Sequence, residues 1–171
     1  ANSKAKNAQA VVLDVATGEV LAMANTGTID PNKDIEKQLK EDKTFDNRSV
    51  SHPYEPGSVA KIITAAAALQ EGVTTPDQVH QVPGSIDMAG VTVNDAWDHG
   101  VEPYTTTGIF GKSSNVGTLM IAQQLGQDRY AKYLKAFGLG QTTGIELPNE
   151  SAGLVPDVEQ WSGGTFANLP I

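Results

Sequence analysis

The amino-acid sequence predicts an α+β fold (mixed α/β), and three observations carry that prediction. Residues 8–25 are rich in β-branched residues on either side of a glycine turn, the pattern of a β-hairpin. Residues 58–72 run without a breaker from just after Pro56 and Gly57 to Gly72, the pattern of a helix. Residues 105–137 carry further helical pattern, whereas 78–93 are punctuated by Gly and Pro and read as short strands or irregular chain.

Taken in order, Ala10, Val12 and Asp14 alternate with Val11, Leu13 and Val15 on the first strand. Residues 16–19 supply the turn, where Gly18 is free to take a positive φ, and residues 20–24 return. Residues 30–48 break the composition: eleven of the nineteen are charged, and the large apolar ones are Ile35, Leu39 and Phe45. Glu36 and Lys40 stand at i,i+4 spacing, so this solvated excursion is expected to hold a short surface helix. In the helix at 58–72, Ile62, Ile63 and residues 65–69 cover nearly the whole circumference, which predicts a buried helix rather than a surface one. Residues 105–110 form a short helix and 111–115 a break. Residues 116–124 form a second buried helix through Val116, Leu119, Met120 and Ala122, closed by Gly126. Residues 127–137 are amphipathic, with Tyr130, Tyr133, Leu134 and Phe137 on one side and Gly138 at the end. Residues 165–171 stop on an apolar residue, which reads as a chain cut at that point.

Composition narrows the function. With 171 residues, 39% of them hydrophobic, the chain is long enough to bury one core. A net charge of −8 argues against nucleic acid or an anionic membrane surface as the main partner, because both demand clustered Lys and Arg. The absence of Cys excludes thiol catalysis, disulfide frameworks and Cys-based zinc sites. The most apolar run, residues 62–69, is eight residues, against the roughly 20 that a bilayer span needs. Asn47 and Asn149 each head a glycosylation sequon, which matters in a eukaryotic secretory setting alone.

Chemistry is suggested by an S-x-x-K string at Ser58 and Lys61. Residues three apart share a helix face, so the serine Oγ and lysine Nζ can meet. A serine hydroxyl is a weak nucleophile until a base takes its proton. Lysine is such a base only when burial disfavours its charged form. The helix N-terminus adds N–H groups that favour developing negative charge. The string also occurs at Ser3 and Lys6, in a polar segment without a core, where it reads as chance. Ser58 as an ordinary N-cap and Lys61 as a snorkelling lysine are the plain alternatives. Ser113 and Asn115 form an S-x-N string in the break between two helices. They supply either a second hydroxyl and an amide for a substrate peptide group or ordinary loop and cap residues. His52, His80 and His99 are scattered, with no carboxylate partner at ligand spacing, so no metal site is expected. His52, six residues before Ser58, remains a candidate for a Ser–His pair.

Together these residues resemble the transpeptidase domain of penicillin-binding proteins. The closest branch is class B, the monofunctional one, and within it the division or elongation transpeptidases of Gram-positive bacteria. The likeness covers nearly the whole chain: residues 10–24 are similar to the family's opening hairpin, and 30–32, 47–48 and 54–58 (YEPGS) to the approach to its nucleophile. Residues 112–117 (KSSNVG) are similar to its second motif, and 137–140 and 143–148 to a further segment. The resemblance implies the penicillin-binding-protein/serine β-lactamase-like fold, an antiparallel sheet with a buried helical subdomain. It implies that Ser58 attacks the D-Ala-D-Ala carbonyl of a peptidoglycan stem peptide, and that Lys61 accepts its proton. Ser113 would relay a proton to the leaving D-Ala, Asn115 would orient the peptide, and the Ser58 N–H would form half of an oxyanion hole. A stem-peptide amine would then attack the acyl-enzyme, and β-lactams would acylate Ser58 and stay attached. It implies no cofactor and no metal, other cell-wall synthesis proteins as partners, and work at the extracytoplasmic face of a bacterial membrane, with the anchor outside this chain.

One motif departs from the family. Its third string, Lys-Thr/Ser-Gly on a sheet-edge strand, has no match here, since residues 141–144 (QTTG) lack the cation. Residues 1–171 are therefore expected to be the N-terminal portion of one transpeptidase domain. The remaining strands would lie on a following or separate segment docked on this one. Two other readings stay open: a penicillin-recognising sensor with the same serine, and a D,D-carboxypeptidase or β-lactamase that uses water as acceptor. The likeness of residues 54–57 to the class B branch favours transpeptidation.

Overall fold

The computed structural model describes residues 4–171, so Ser3 of the second S-x-x-K string lies outside the described residues. The chain divides into two units, one running up to Tyr54 with Thr142–Gly153, the other Glu55–Gln141 with Leu154–Ile171.

The first unit opens with the expected hairpin, β1 (Gln9–Leu13) against β2 (Val20–Asn25), antiparallel with Val11 opposite Met23 and an irregularity at Val12 and Leu13. Its turn is an Asp-built one: Asp14 Oδ1 accepts from the N–H of Ala16 at 2.8 Å and of Thr17 at 3.0 Å, and Gly18 takes φ +77°. Helix α1 (Ile35–Lys40) falls inside the charged excursion, capped by Asp34. Helix α2 (Arg48–Ser51) is capped by Asn47 and tied to the hairpin: Asn25 Nδ2 donates to Asn47 Oδ1 at 2.8 Å, and Ser49 Oγ donates to Asn25 Oδ1 at 2.9 Å. Every residue of β1 is exposed.

The second unit begins with a 3₁₀ turn at Gly57–Val59 and continues into α3 (Lys61–Gln70). Strands β3 (Val79–Val82), β4 (Ser85–Met88), β5 (Val91–Asn94) and β6 (Glu102–Thr105) follow. They pair antiparallel, β3 with β6 and β4 with β5. Helices α4 (Thr106–Lys112), α5 (Asn115–Leu125), α6 (Gln127–Ala136) and α7 (Gly163–Asn168) complete the unit, which is an α+β arrangement. Helix α5 is its axis. Val116, Leu119 and Ile121 pack with Val82, Val93 and Ile109, while Ala122 and Leu125 pack with Ile63, Tyr130 and Leu134. A Cβ on Gly117 would stand 2.8 Å from the Ile109 side chain, so the absence of a side chain lets α4 and α5 close at this point.

One expectation needs correction. Helix α3 is not buried all round: Ile63, Thr64, Ala67 and Ala68 are buried, but Ile62 is 63% and Leu69 43% exposed. An apolar circumference permits burial on every side, but α5 and α6 cover one side of α3. Residues 166–170 pack into the second unit. Phe166 and Ala167 are buried, Tyr130 Oη donates to Leu169 O at 2.7 Å, and Thr64 Oγ1 donates to Pro170 O at 3.0 Å. Burial pushes the Tyr130 phenol up to about 12. Among the described residues, no helix is long and apolar enough to cross a membrane.

Candidate active site

The site lies within the second unit and is built from two helix starts. Gly57 takes φ +56°, which bends the chain out of Pro56 and sets Ser58 on the 3₁₀ turn ahead of α3. The Ser58 side chain caps neither that turn nor α3, which removes the N-cap reading. Among the described residues its backbone N–H has no hydrogen-bond acceptor.

Lys61, the first residue of α3, is 4% exposed, so it does not snorkel to solvent. Its Nζ donates to Ser113 O at 2.7 Å, Ser113 Oγ at 3.0 Å and Asn115 Oδ1 at 2.6 Å. Ser113 Oγ in turn donates to Ser58 Oγ at 3.0 Å. The spacing argument has Ser58 and Lys61 meeting directly; the hydrogen bonds connect them through Ser113. Burial holds the Lys61 amine below its usual value, and the Asp95 carboxylate pulls the other way. The dry environment belongs to Lys61 alone, because Ser58 is exposed.

The second motif divides its labour. Ser113 ends α4 in the left-handed region at φ +58°, a conformation that costs a non-glycine residue roughly 1–2 kcal/mol. This turn is what aims both its carbonyl and its hydroxyl at Lys61. Ser114 is a buried cap whose Oγ accepts from Gly117 N at 2.9 Å, so the cap reading holds for this residue. Asn115 opens α5, with Oδ1 on Lys61 and Nδ2 donating to Asn94 O at 3.0 Å. One N–H and one lone pair of its amide remain for a substrate peptide group.

The histidines take other parts. His52 Nδ1 stands 2.9 Å from Ser51 Oγ and 3.1 Å from Asp46 Oδ2, within the first unit. His80 is buried among Thr74 and Thr106, and burial depresses its imidazole below the ordinary value. His99 Nε2 is 3.0 Å from Asp95 Oδ2, so two histidines do have carboxylate partners. The sequence reading missed these pairs because i,i+4 and i,i−6 spacings across irregular chain carry no periodic signal. It also missed Asp95. A buried carboxylate must be paired, but an Asp after a short strand looks in sequence like any loop residue.

Comparison with known proteins places the chain in context. The family model described as the penicillin binding protein transpeptidase domain matches residues 8–171. The chain is 63% identical over 169 residues to penicillin-binding protein PbpB of Mycolicibacterium smegmatis, covering 99% of this chain and 26% of the relative. It is 36% identical over 161 residues to peptidoglycan D,D-transpeptidase FtsI of Escherichia coli K12, covering 94% and 26%. Penicillin binding protein 3 of Mycobacterium tuberculosis, solved in complex with ampicillin, superposes with a TM-score of 0.93 at 64% identity, covering 98% of this chain and 36% of that one. The chain thus spans about a quarter of the length of these curated relatives.

Proposed function

The chain belongs to the penicillin-binding protein transpeptidase family, and from that premise we propose that it supplies the nucleophile half of a serine D,D-transpeptidase site. That site cross-links peptidoglycan stem peptides and is acylated by β-lactams. The observation that carries the reading is the continuous string Ser58 Oγ, Ser113 Oγ, Lys61 Nζ, with the amine buried.

In this mechanism Ser58 Oγ attacks the carbonyl of the D-Ala-D-Ala bond. With Lys61 neutral, both hydroxyls turn to donate towards it, so that the Ser58 proton passes to Ser113 and the Ser113 proton to Lys61. The Ser58 N–H donates to the developing oxyanion, a role for which the adjoining turn leaves it free. The C–N bond to the terminal D-Ala then breaks. Lys61 returns the proton through Ser113 to the leaving amine, and the acyl group stays on Ser58. An amine of a second stem peptide attacks this ester, the new C–N bond forms as the C–O bond to Ser58 breaks, and the proton lost by the amine restores the Ser58 hydroxyl. Asn115 holds the peptide group of the donor. With a β-lactam, the ring opens on Ser58 and its amine stays tethered, so no leaving group departs to admit the acceptor.

The second oxyanion donor and the cation for the substrate carboxylate belong to a Lys-Thr/Ser-Gly strand, which we assign to a segment beyond residue 171. Residues 1–171 are accordingly the N-terminal portion of one transpeptidase domain, and the rest of that domain is their first partner. The protein acts at the extracytoplasmic face of the bacterial membrane alongside other cell-wall synthesis proteins.

The test is to give the full-length protein a donor stem pentapeptide and an acceptor amine, then measure free D-alanine and the mass of the products. Release of D-alanine with a donor–acceptor adduct is expected. Release with a free tetrapeptide as sole product would make it a carboxypeptidase, and no release with stable penicillin binding would make it a sensor.

A further inference from the structure

We propose that Asp95 is a positioning residue of this site, holding residues 114–116 so that Ser113 and Asn115 face Lys61. The inference rests on the function proposed above and adds to it a residue outside the three family strings.

Asp95 follows directly on β5 and its side chain is fully buried. Its N–H donates to Gly84 O at 3.3 Å, which pins it to the chain between β3 and β4. Its two oxygens take three donors. Oδ1 accepts from the backbone N–H of Val116 at 3.0 Å, and Oδ2 accepts from Ser114 Oγ at 2.7 Å and faces His99 Nε2 at 3.0 Å. The preceding residue completes the grip, because Asn94 O accepts from Asn115 Nδ2. The end of β5 therefore holds three consecutive residues of the second motif, one by hydroxyl, one by side-chain amide and one by backbone N–H. A charged acceptor at an α-helix start is the strong form of such a contact. What it holds is a turn that would not stay in place by itself, since Ser113 sits in the left-handed region.

The charge has a second effect. His99 Nδ1 is buried without a hydrogen-bond partner. A buried N–H without an acceptor is costlier than an unused lone pair, so His99 fits as the neutral Nε2–H tautomer. It then gives Asp95 a hydrogen bond and no positive charge. Asp95 is left as an anion that attracts Lys61. Also near Asp95 are His99, Tyr104 and Asp98, with Glu102 bonded to the Tyr104 hydroxyl and Lys112 over its ring. Positioning speeds the reaction, while the negative charge keeps Lys61 protonated to higher pH.

The test is the acylation rate of the full-length protein by a β-lactam as a function of pH, in wild type, Asp95→Asn and His99→Phe. Lys61 must be neutral to act, so the rate rises with pH to a plateau. Asp95→Asn is expected to lower the plateau about 10- to 100-fold through misplacement and to move the rising limb to lower pH. His99→Phe keeps the ring stacked on Trp97 at 5.3 Å but removes a donor from the carboxylate. Its rising limb is expected to move to higher pH. An unmoved limb in both variants would overturn the proposal, including the case in which rates fall, because a purely structural role lowers the rate without moving the limb. If Asp95→Asn does not fold, the direction of the His99→Phe shift decides. Absence of any adduct on the wild type would instead sink the proposed function itself.

Discussion

Hairpin β1–β2 and helix α5 are both built from apolar residues, and they meet opposite fates. Val11, Val12 and Leu13 are exposed on β1, Leu13 by 53%, whereas Val116, Leu119, Ile121, Ala122 and Leu125 on α5 are fully buried. The hairpin has its secondary structure from alternation and a turn, and within its unit the four-residue helix α2 packs on it, too short to cover a face. Helix α5 has α3, α4, α6 and the strands around it. Local pattern selects the element, and partners decide burial. The candidate site stands where partners are present, because the low proton affinity of Lys61 needs an enclosed place that an exposed element does not offer.

The comparison can be broken at the site first. Lys61→Ala in the full-length protein is expected to slow β-lactam acylation about 10²–10⁴-fold, the usual worth of a positioned base. His52→Ala in the first unit is expected to leave the rate unchanged; time-resolved intact-mass measurement reads both. A loss with His52→Ala and none with Lys61→Ala would mean that the histidine, not the lysine, serves Ser58.

Packing gives the next contrast. Leu119→Ala on α5 is expected to cost about 2–5 kcal/mol, and Val12→Ala on β1 within about 0.5 kcal/mol, both by urea denaturation. Gly117→Ala is expected to cost about 1–3 kcal/mol, since the added methyl meets Ile109. A free Gly117→Ala would mean that α4 and α5 are looser than their contact implies.

The smallest effect is a pH slope. The Tyr130 phenol is held at about 12 in the folded chain, against 10.0 ordinarily. Its folded-state value is the higher one, so the unfolded chain gives up this proton first. The stability it contributes is complete below pH 10 and is lost as pH rises from about 10 to about 12. Tyr130→Phe is expected to flatten that part of the stability–pH curve, and an unchanged slope would contradict the burial account.

Much of this was legible in residues alone. Alternation around Gly18 specified the hairpin, and Gly126 and Gly138 marked the ends of α5 and α6. Spacing and context selected Ser58 and Lys61, the family resemblance added Ser113 and Asn115, and the structure joins all four by hydrogen bonds. The route through Ser113 was not legible, because it depends on a left-handed turn that no serine advertises. Nor was Asp95, whose partners lie 4, 19 and 21 residues away along irregular chain. The exposed side of α3 was hidden for a third reason: an apolar residue records tolerance of burial, not the neighbour that would cover it.

The central claim, that Ser58 is the nucleophile, is tested most directly by exposing the full-length protein to penicillin and mapping the adduct by peptide mass. The account predicts a single adduct on Ser58 that disappears in Ser58→Ala. An adduct that persists in Ser58→Ala, or that maps to Ser113, would contradict it.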